Sequence, residues 1–489
     1  MTSASRPAPV QRTTVLIIGA GVSGIAMAVN LRKRGIDDFV VLEMSEGAGG
    51  TWWDNRYPGV EVDVPSSFYS FSFAPHVFSR THADAGAMLA YLNEVVRAHD
   101  LAGCFRFGEK VERVEWDSAS AEYEVETVAG SRWRSRYVVS CVGQLNNPGY
   151  PAWAVDSPFQ GELVHTARWN DAIALNGKSV AVVGTGSTSA QVVPEVAKTA
   201  ASVYVFQRQP GWVLPKEDRT YSQAERARLE RSRVRQRLAR LRTYVDMERL
   251  TASARKGTKA NRRMQQAAEE YLAKTIEDPV LRTALLPDYP FFGKRVVLSQ
   301  DFYPALNRPN VTLIPKAVDH LTQKGVVDVS GQETVVDVVI LATGFQPSNF
   351  LATFDVIGKG GARLKEQWGA EPRSFLGMMT PGFPNFFVTY GPNTNGGSII
   401  FFVERQAEWI SKALGVAERH RRSIEVRPRV VELCDKLVAW GNSRFVWSHT
   451  QNNYYTSTTG RVVTQWPFSQ TTYWVLTRLI RPRLACRVR

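Results

Sequence analysis

The sequence predicts an α/β protein built from two Rossmann-like dinucleotide-binding domains, the second interrupted by a helical insert. Three observations carry this. Two short β-branched runs each lead directly into a glycine-rich turn, at Gly19–Gly24 and at Gly184–Ala190. A further β-branched run, Val338–Leu341, reads as another buried parallel strand and ends in Ala342-Thr343-Gly344. Between them lies a Pro-free stretch rich in Ala, Leu, Arg, Gln and Glu, which reads as helix.

The first unit is the most complete. Thr14–Ile18 is a buried parallel strand, Gly19-Ala20-Gly21-Val22-Ser23-Gly24 the turn, and the residues after it a helix. Gly19 allows the turn, Gly21 lets backbone approach a pyrophosphate, and Gly24 lets helix pack on sheet. The helix N-terminus offers N–H groups to phosphate oxygens. The next strand ends in Glu43, an acid placed to accept hydrogen bonds from a ribose diol. The first dozen residues carry no apolar stretch and read as a loose tail.

Gly49–Gly59, GGTWWDNRYPG, follows, then Val60-Glu61-Val62-Asp63. Trp52 and Trp53 read as packing residues. Asp84–Asp100 reads as a helix with Met88, Leu89, Leu92, Val95 and Val96 on one face, and Phe105–Val128 as strands of the first sheet. Tyr137–Gly143 is another buried strand, after which Gln144–Pro148 leads out of the first domain.

Phe159, Gly161, His165 and Trp169 then recur at fixed spacing ahead of the second unit. That unit runs from the strand Ser179–Val183 through Gly184-Thr185-Gly186 to a helix. Its third glycine position falls on Ser187 or Ser189, depending on register. The following strand, Ser202–Gln207, is capped by Arg208 rather than an acid, which suits a 2′-phosphate. Residues 223–250 and 259–276 read as helices, the first with Leu229, Leu238, Leu241, Val245 and Leu250 at mixed helical spacings. A solvated helical face is the reading this supports. Lys294-Arg295 is followed by Asp301–Arg308, DFYPALNR, and Pro381–Gly397 contains Gly391-Pro392-Asn393.

Taken together these segments resemble the type I Baeyer–Villiger monooxygenases, class B flavin-dependent monooxygenases. The resemblance rests on FxGxxxHxxxW at Phe159–Trp169, on GGTWxxNRYPGxxxD at Gly49–Asp63 and on the Lys294-Arg295 pair with its flank. It spans about Thr14 to Arg478 and includes Tyr454–Trp466, similar to shorter members of the family. It implies FAD on the first turn (Gly19, Gly21, Gly24, Glu43) and along Thr51, Trp52, Tyr57 and Asp63. It implies NADPH on the second (Gly184, Gly186, Ser187, Ser189, Arg208), with Lys294 on the 2′-phosphate. Asn393 would approach the isoalloxazine. Arg295 would be the catalytic cation and Asp63 its partner. His165 would be structural, and Phe401 and Phe402 would serve packing before substrate contact. The implied reaction turns a ketone into an ester or lactone with O₂, through a C4a-peroxyflavin. A related enzyme oxygenating nitrogen or sulfur is the alternative, and a non-catalytic basic nucleotide- or nucleic-acid-binding protein a remote one.

The domain reading is an FAD-binding domain over 1–147 and 347–489 and an NADP-binding domain over 148–215 and 289–346. The insert occupies 216–288. The net charge of +14 does not call for nucleic acid, because Arg219–Arg263 holds fifteen basic and only four acidic residues, within the insert. No zinc, helix-turn-helix or RNP signature is present. No apolar run reaches a membrane span, so no membrane insertion is expected. Cys104, Cys141, Cys434 and Cys486 are far apart, which excludes a redox dithiol, and no metal site is expected. A reducing cytoplasm fits, as does a monomer or homodimer.

Overall fold

The computed structural model describes residues 9–351, 353–450 and 453–489; most of the expected N-terminal tail lies outside them. The first strand, β1 (Gln11–Ile18), begins earlier than the apolar run indicates, since Gln11, Arg12 and Thr13 already pair in register with Trp133, Arg134 and Ser135. Arg12 adds an ion pair to Glu122 at 3.0 Å. Only the second half of β1 is buried, which is why the hydrophobic signal starts at Thr14.

After β1 come α1 (Val22–Arg32), β2 (Phe39–Leu42), a single turn α2 (Thr51–Asp54) and α3 (Ala85–Ala98). Helix α3 is capped by the Asp84 side chain, which accepts from the Ala87 amide, and buries Met88, Tyr91, Leu92, Val95 and Val96. Leu89 is only half-buried. The strands β3 (Phe105–Arg106), β4 (Val111–Asp117), β5 (Glu122–Thr127) and β6 (Arg132–Ser140) complete this half of the first sheet. β1 lies between β2 and β6, parallel to both, while β4, β5 and β6 form an antiparallel meander.

The second sheet is wholly parallel. It takes β7 (Glu162–His165), β8 (Ser179–Val183) with α4 (Ser187–Val196), and β9 (Ser202–Phe206). A short β10 (Val213–Leu214) leads into the insert, which contains α5 (Gln223–Glu230), α6 (Arg233–Ser253), α7 (Lys259–Thr275) and α8 (Pro279–Leu285). The helix expected over 223–250 is therefore two. Ser232 breaks it by capping the Arg235 amide, as Ser222 caps α5 in a capping box with Glu225. Leu238 and Leu241 of α6 are more than half exposed, in keeping with the expected solvated face.

The chain returns through β11 (Val297–Leu298), which pairs with β10, then α9 (Phe302–Leu306), β12 (Val311–Ile314), a three-stranded meander β13–β15 (Val318–Leu321, Gly325–Asp328, Glu333–Val335) and β16 (Val338–Leu341). The order of the second sheet is β12-β9-β8-β16-β7. Past Gly344 the chain runs beside the outgoing segment, with Thr343 Oγ1 donating to the Gly149 carbonyl and Pro148 bridged to Phe345. Strands β17 (Asp355–Ile357) and β18 (Phe386–Val388) then join the first sheet on β4 and β6. Short α10 (Leu364–Trp368) lies between them. The long α11 (Ile399–Arg419) packs on α1, and β19 (Ile424–Val426), α12 (Pro428–Asn442), α13 (Gln470–Leu479), α14 (Pro482–Ala485) and β20 (Cys486–Val488) close the chain. No helix among the described residues is long and apolar enough to cross a membrane.

Candidate active site

At the first turn, Gly19 has φ +102°, a conformation that favours glycine. A Cβ on Gly24 would lie 1.9 Å from the Gly19 carbonyl oxygen, so this helix meets its strand only through glycine. Gly21, at the N-cap of α1, gives no side-chain cap, whereas α3, α5, α6, α7, α8 and α13 are each capped by a side chain. The leading amides of α1 are thus left for an anion. Glu43 is buried and accepts from the backbone amides of Ala20 (2.6 Å) and Ser45 (2.9 Å). Burial raises its pKa, against those two hydrogen bonds.

The strip from Gly49 to Asp63 runs from this turn toward the second sheet. Gly50 packs so closely on Gly21 that a Cβ would sit 2.8 Å from the Gly21 Cα. Thr51 and Trp52 face the large cavity, and Trp52 meets Tyr69 edge-on at 5.8 Å. Trp53 points elsewhere, under the Arg56 guanidinium. Tyr57 donates to Gln191 Oε1 at 2.8 Å, and Gln191 donates to the Glu61 carbonyl at 2.9 Å. Gln191 belongs to α4, so the strip is tied directly to the second nucleotide turn. Lys216 pairs with Glu61 while buried, adding a second tie. Neither Gln191 nor Lys216 carries a local sequence signal, because their partners lie more than a hundred residues away.

The second turn repeats the first in backbone. Gly184 has φ +117°, Gly186 is the uncapped N-cap of α4, and Ser189 stands where Gly24 stands. This settles the register: Ser187 opens the helix and Ser189 takes the third position, fully buried, its Oγ without a hydrogen-bond partner among the described residues. Gly184, Gly186 and Ser187 line the cavity, and a Cβ on Gly186 would meet nothing within 4 Å. Arg208 and Lys294 line the same mouth. The Lys294 pKa is lowered by burial and then by the Arg208 charge, with Asp288 opposing. Two cations held near one another are a seat for a multiply charged anion. Gln209 accepts from Lys294 and donates to Asp288 at 3.0 Å, holding the lysine in place.

Arg295 donates to Asp63 where the cavity passes between the Thr51–Tyr57 strip and the second turn. Burial alone would raise the Asp63 pKa, but the Arg295 charge and hydrogen bond outweigh it and hold the carboxyl below its ordinary range. The Asp63 charge in turn lifts Arg295 well above its usual value, aided by Tyr454. Tyr69 and Tyr454 line the cavity beside the pair, which sequence reasoning did not single out for Tyr69. The cavity has a volume of about 1680 Å³. That exceeds the roughly 300–1,000 Å³ of an ordinary small-molecule pocket and leaves room for a dinucleotide and a further molecule.

Some candidate residues lie apart. Asn393 does not line the cavity: its φ is +58° and its side-chain amide donates to the carbonyls of Val462 (3.1 Å) and Gln465 (3.2 Å), stapling two loops. Phe159 and Trp169 pack on the two faces of the second sheet, and Gly161 lies against Asp337 and the Phe159 ring. His165 accepts at Nδ1 from the Ala167 amide and lies 5.0 Å from the tilted Tyr150 ring, and burial lowers its pKa to about 4. Phe402 is buried in the core, while Phe401 is half-buried against Phe68 and Tyr244. The four cysteines are free, and no metal-ligating cluster exists among the described residues.

Comparison with known proteins agrees with this geometry. The family described as pyridine nucleotide-disulphide oxidoreductase matches residues 16–312. Its nucleotide-binding frame is present here without a cysteine pair. A protein of Pseudomonas aeruginosa named Baeyer-Villiger monooxygenase is 34% identical over 98% of this chain and 92% of its own length. An oxidized steroid monooxygenase bound to NADP superposes with a TM-score of 0.87 at 27% identity, covering 98% of this chain and 99% of that one. The complex of OTEMO with FAD and NADP gives a TM-score of 0.88 at 25% identity, over 98% and 100% of the two chains.

Proposed function

The chain belongs to the Baeyer–Villiger monooxygenases, and from that premise we propose that it converts a ketone to an ester or lactone with FAD, NADPH and O₂. The observation that carries the reading is the Arg295–Asp63 pair, set between the strip that would lie along a flavin and the turn that would receive the coenzyme. The overall balance is ketone, NADPH, a proton and O₂ giving ester, NADP⁺ and water.

The residues fit both nucleotides. The uncapped amides of α1 and the glycine-only contact at Gly24 admit a pyrophosphate, with Glu43 beside it for a ribose. The open space at Gly186 admits a second pyrophosphate, and Arg208 with Lys294 offers paired cations for a 2′-phosphate. Bound flavin supplies hydride acceptance and oxygen activation. Arg295, lining the cavity, supplies a permanent positive charge where negative charge develops. Asp63 aims that guanidinium and stays ionised throughout the neutral range. The ties from Tyr57 to Gln191 and from Glu61 to Lys216 hold the Asp63 strip against the coenzyme turn. In this reading the nucleotide domains divide at 147/148 and 346/347, with the insert over 216–288, and the free cysteines fit a reducing cytoplasm.

The test is product analysis by mass spectrometry under ¹⁸O₂, over cyclic, aryl and steroid-sized ketones. One labelled oxygen in an ester or lactone is expected. Label found only in an N-oxide or a sulfoxide, with no ester from any ketone, would assign the enzyme to nitrogen or sulfur instead.

A further inference from the structure

The insert helix α6 is built inside out. Val234, Leu238, Leu241 and Val245 recur at spacings of four, three and four, so at 100° per residue they form one stripe. That stripe faces away from the protein: the four residues are 65%, 59%, 56% and 37% exposed. The opposite face carries the polar contacts. Arg240 is sunk between the Phe68 ring and the backbone, donating to the Ser70 carbonyl at 2.8 Å, with Glu404 3.9 Å away. Thr243 bonds Ser67, and Tyr244 packs on Phe68 and Phe401. A single exposed leucine needs no explanation, but a continuous stripe does.

Charge limits what the stripe meets. Arg235 and Arg242 flank it on one side and Arg237 on the other, all exposed. Helix α13 lies beside α6, its first turn bonded to it through Thr471 with Tyr244 and Glu248. There Trp474 is exposed with Arg478 over its ring. Apolar side chains rimmed by arginine, with a tryptophan at the edge, match a helix lying in the interface of a bilayer. A second copy of this chain meeting the stripe about a two-fold axis would bring these arginines face to face. Nucleic acid would use the arginines and leave the leucines in water.

We propose that the outer face of α6, with the edge of α13, docks the enzyme on an anionic lipid surface. The leucine stripe enters the headgroup region and the flanking arginines pair with lipid phosphates and carboxylates. No helix among the described residues is long and apolar enough to cross a membrane, so the proposal is attachment from one side. The surplus charge of the insert acquires a function by it, and the inference stands whatever the substrate proves to be.

The test is flotation of the FAD-loaded full chain with vesicles of phosphatidylcholine alone and of equimolar phosphatidylcholine and phosphatidylglycerol. Binding to the mixed vesicles is expected to be at least about ten-fold tighter than to the neutral ones. The double variant Leu238→Ser/Leu241→Ser should lose about ten-fold or more on mixed vesicles. Arg235→Glu/Arg242→Glu should lose a similar factor. Both pairs are exposed, so FAD content and thermal midpoint should match the parent, which separates lost docking from lost fold. Absence of vesicle binding by the parent overturns the proposal, as does unchanged binding by the leucine variant. Light scattering that finds a dimer, turned to monomer by the leucine variant, also overturns it, since a second copy then covers the stripe.

Discussion

The two glycine turns share a backbone and differ in what surrounds it. At the first, Gly50 closes on Gly21, Gly24 touches Gly19, and the strand-end acid Glu43 is buried under two amide hydrogen bonds. At the second, Gly186 faces open space, serine replaces the third glycine, and the strand-end Arg208 is exposed at the cavity mouth. One site is enclosed by the fold and the other opens on the main cavity. The expectation that follows is a nucleotide held more firmly at the first turn than at the second.

The sharpest way to break this comparison is to place alanine at both third positions. Gly24→Ala places a Cβ against backbone that cannot give way, and should cost at least about 3 kcal/mol of stability and most of the bound FAD. Ser189→Ala removes a buried hydroxyl that has no partner among the described residues, and should stay within about 1 kcal/mol with FAD retained. Denaturant unfolding and the flavin-to-protein absorbance ratio check both. Similar losses in the two variants would mean that the turns are not packed differently.

Acid should weaken both halves. His82, in the segment before α3 and against Asp218 of the insert, and His165, at the end of β7, are held neutral by burial, each with its pKa lowered from 6.5 to about 4. At His82 the Lys216 charge adds to burial while Asp218 opposes. Between pH 6.5 and 4 the unfolded chain binds protons that the folded chain refuses, so stability is full above pH 6.5 and falls as pH drops. The loss is at most about 3 kcal/mol per histidine. His165→Gln should flatten that slope in a series of thermal midpoints; an unchanged slope would place its pKa in the ordinary range.

The strand-end exchange should have a more selective effect. Arg208→Ala should raise the NADPH KM about ten-fold or more, equivalent to roughly 1.5–3 kcal/mol, with NADH use little changed. Equal loss with both coenzymes would remove Arg208 from the 2′-phosphate seat.

Much of this contrast was legible in the sequence, because turn, helix start and strand-end residue are local and each has a distinct chemistry. Glu43 and Arg208 announce themselves within one βαβ unit. The third position of the second turn did not, since Ser187 and Ser189 are equivalent until the start of α4 is known. The ties of Gln191 and Lys216 to the Asp63 strip join residues distant in the chain, and no local pattern encodes them. Asn393 reads by resemblance as a backbone approach to the flavin; the tie its side-chain amide makes to the Val462 and Gln465 carbonyls has no local signal. The insert is a different case. Its leucines keep helical spacing, but which side they face is decided by the Phe68, Ser70 and Glu404 surroundings that capture Arg240.

The central claim is that the Arg295 charge, aimed by Asp63, directs activated oxygen into the ketone. The direct measurement is a single turnover: enzyme reduced anaerobically by NADPH, then mixed with oxygen and ketone, with ester and hydrogen peroxide quantified. The parent should give close to one ester per flavin. Arg295→Ala should still bind FAD and be reduced, but lose about 10²–10³ in the rate of ester formation and release hydrogen peroxide instead. Arg295→Lys should rescue poorly, because a point charge on a flexible stem does not reproduce the fork facing Asp63. A near-normal ester yield from Arg295→Ala would contradict the account.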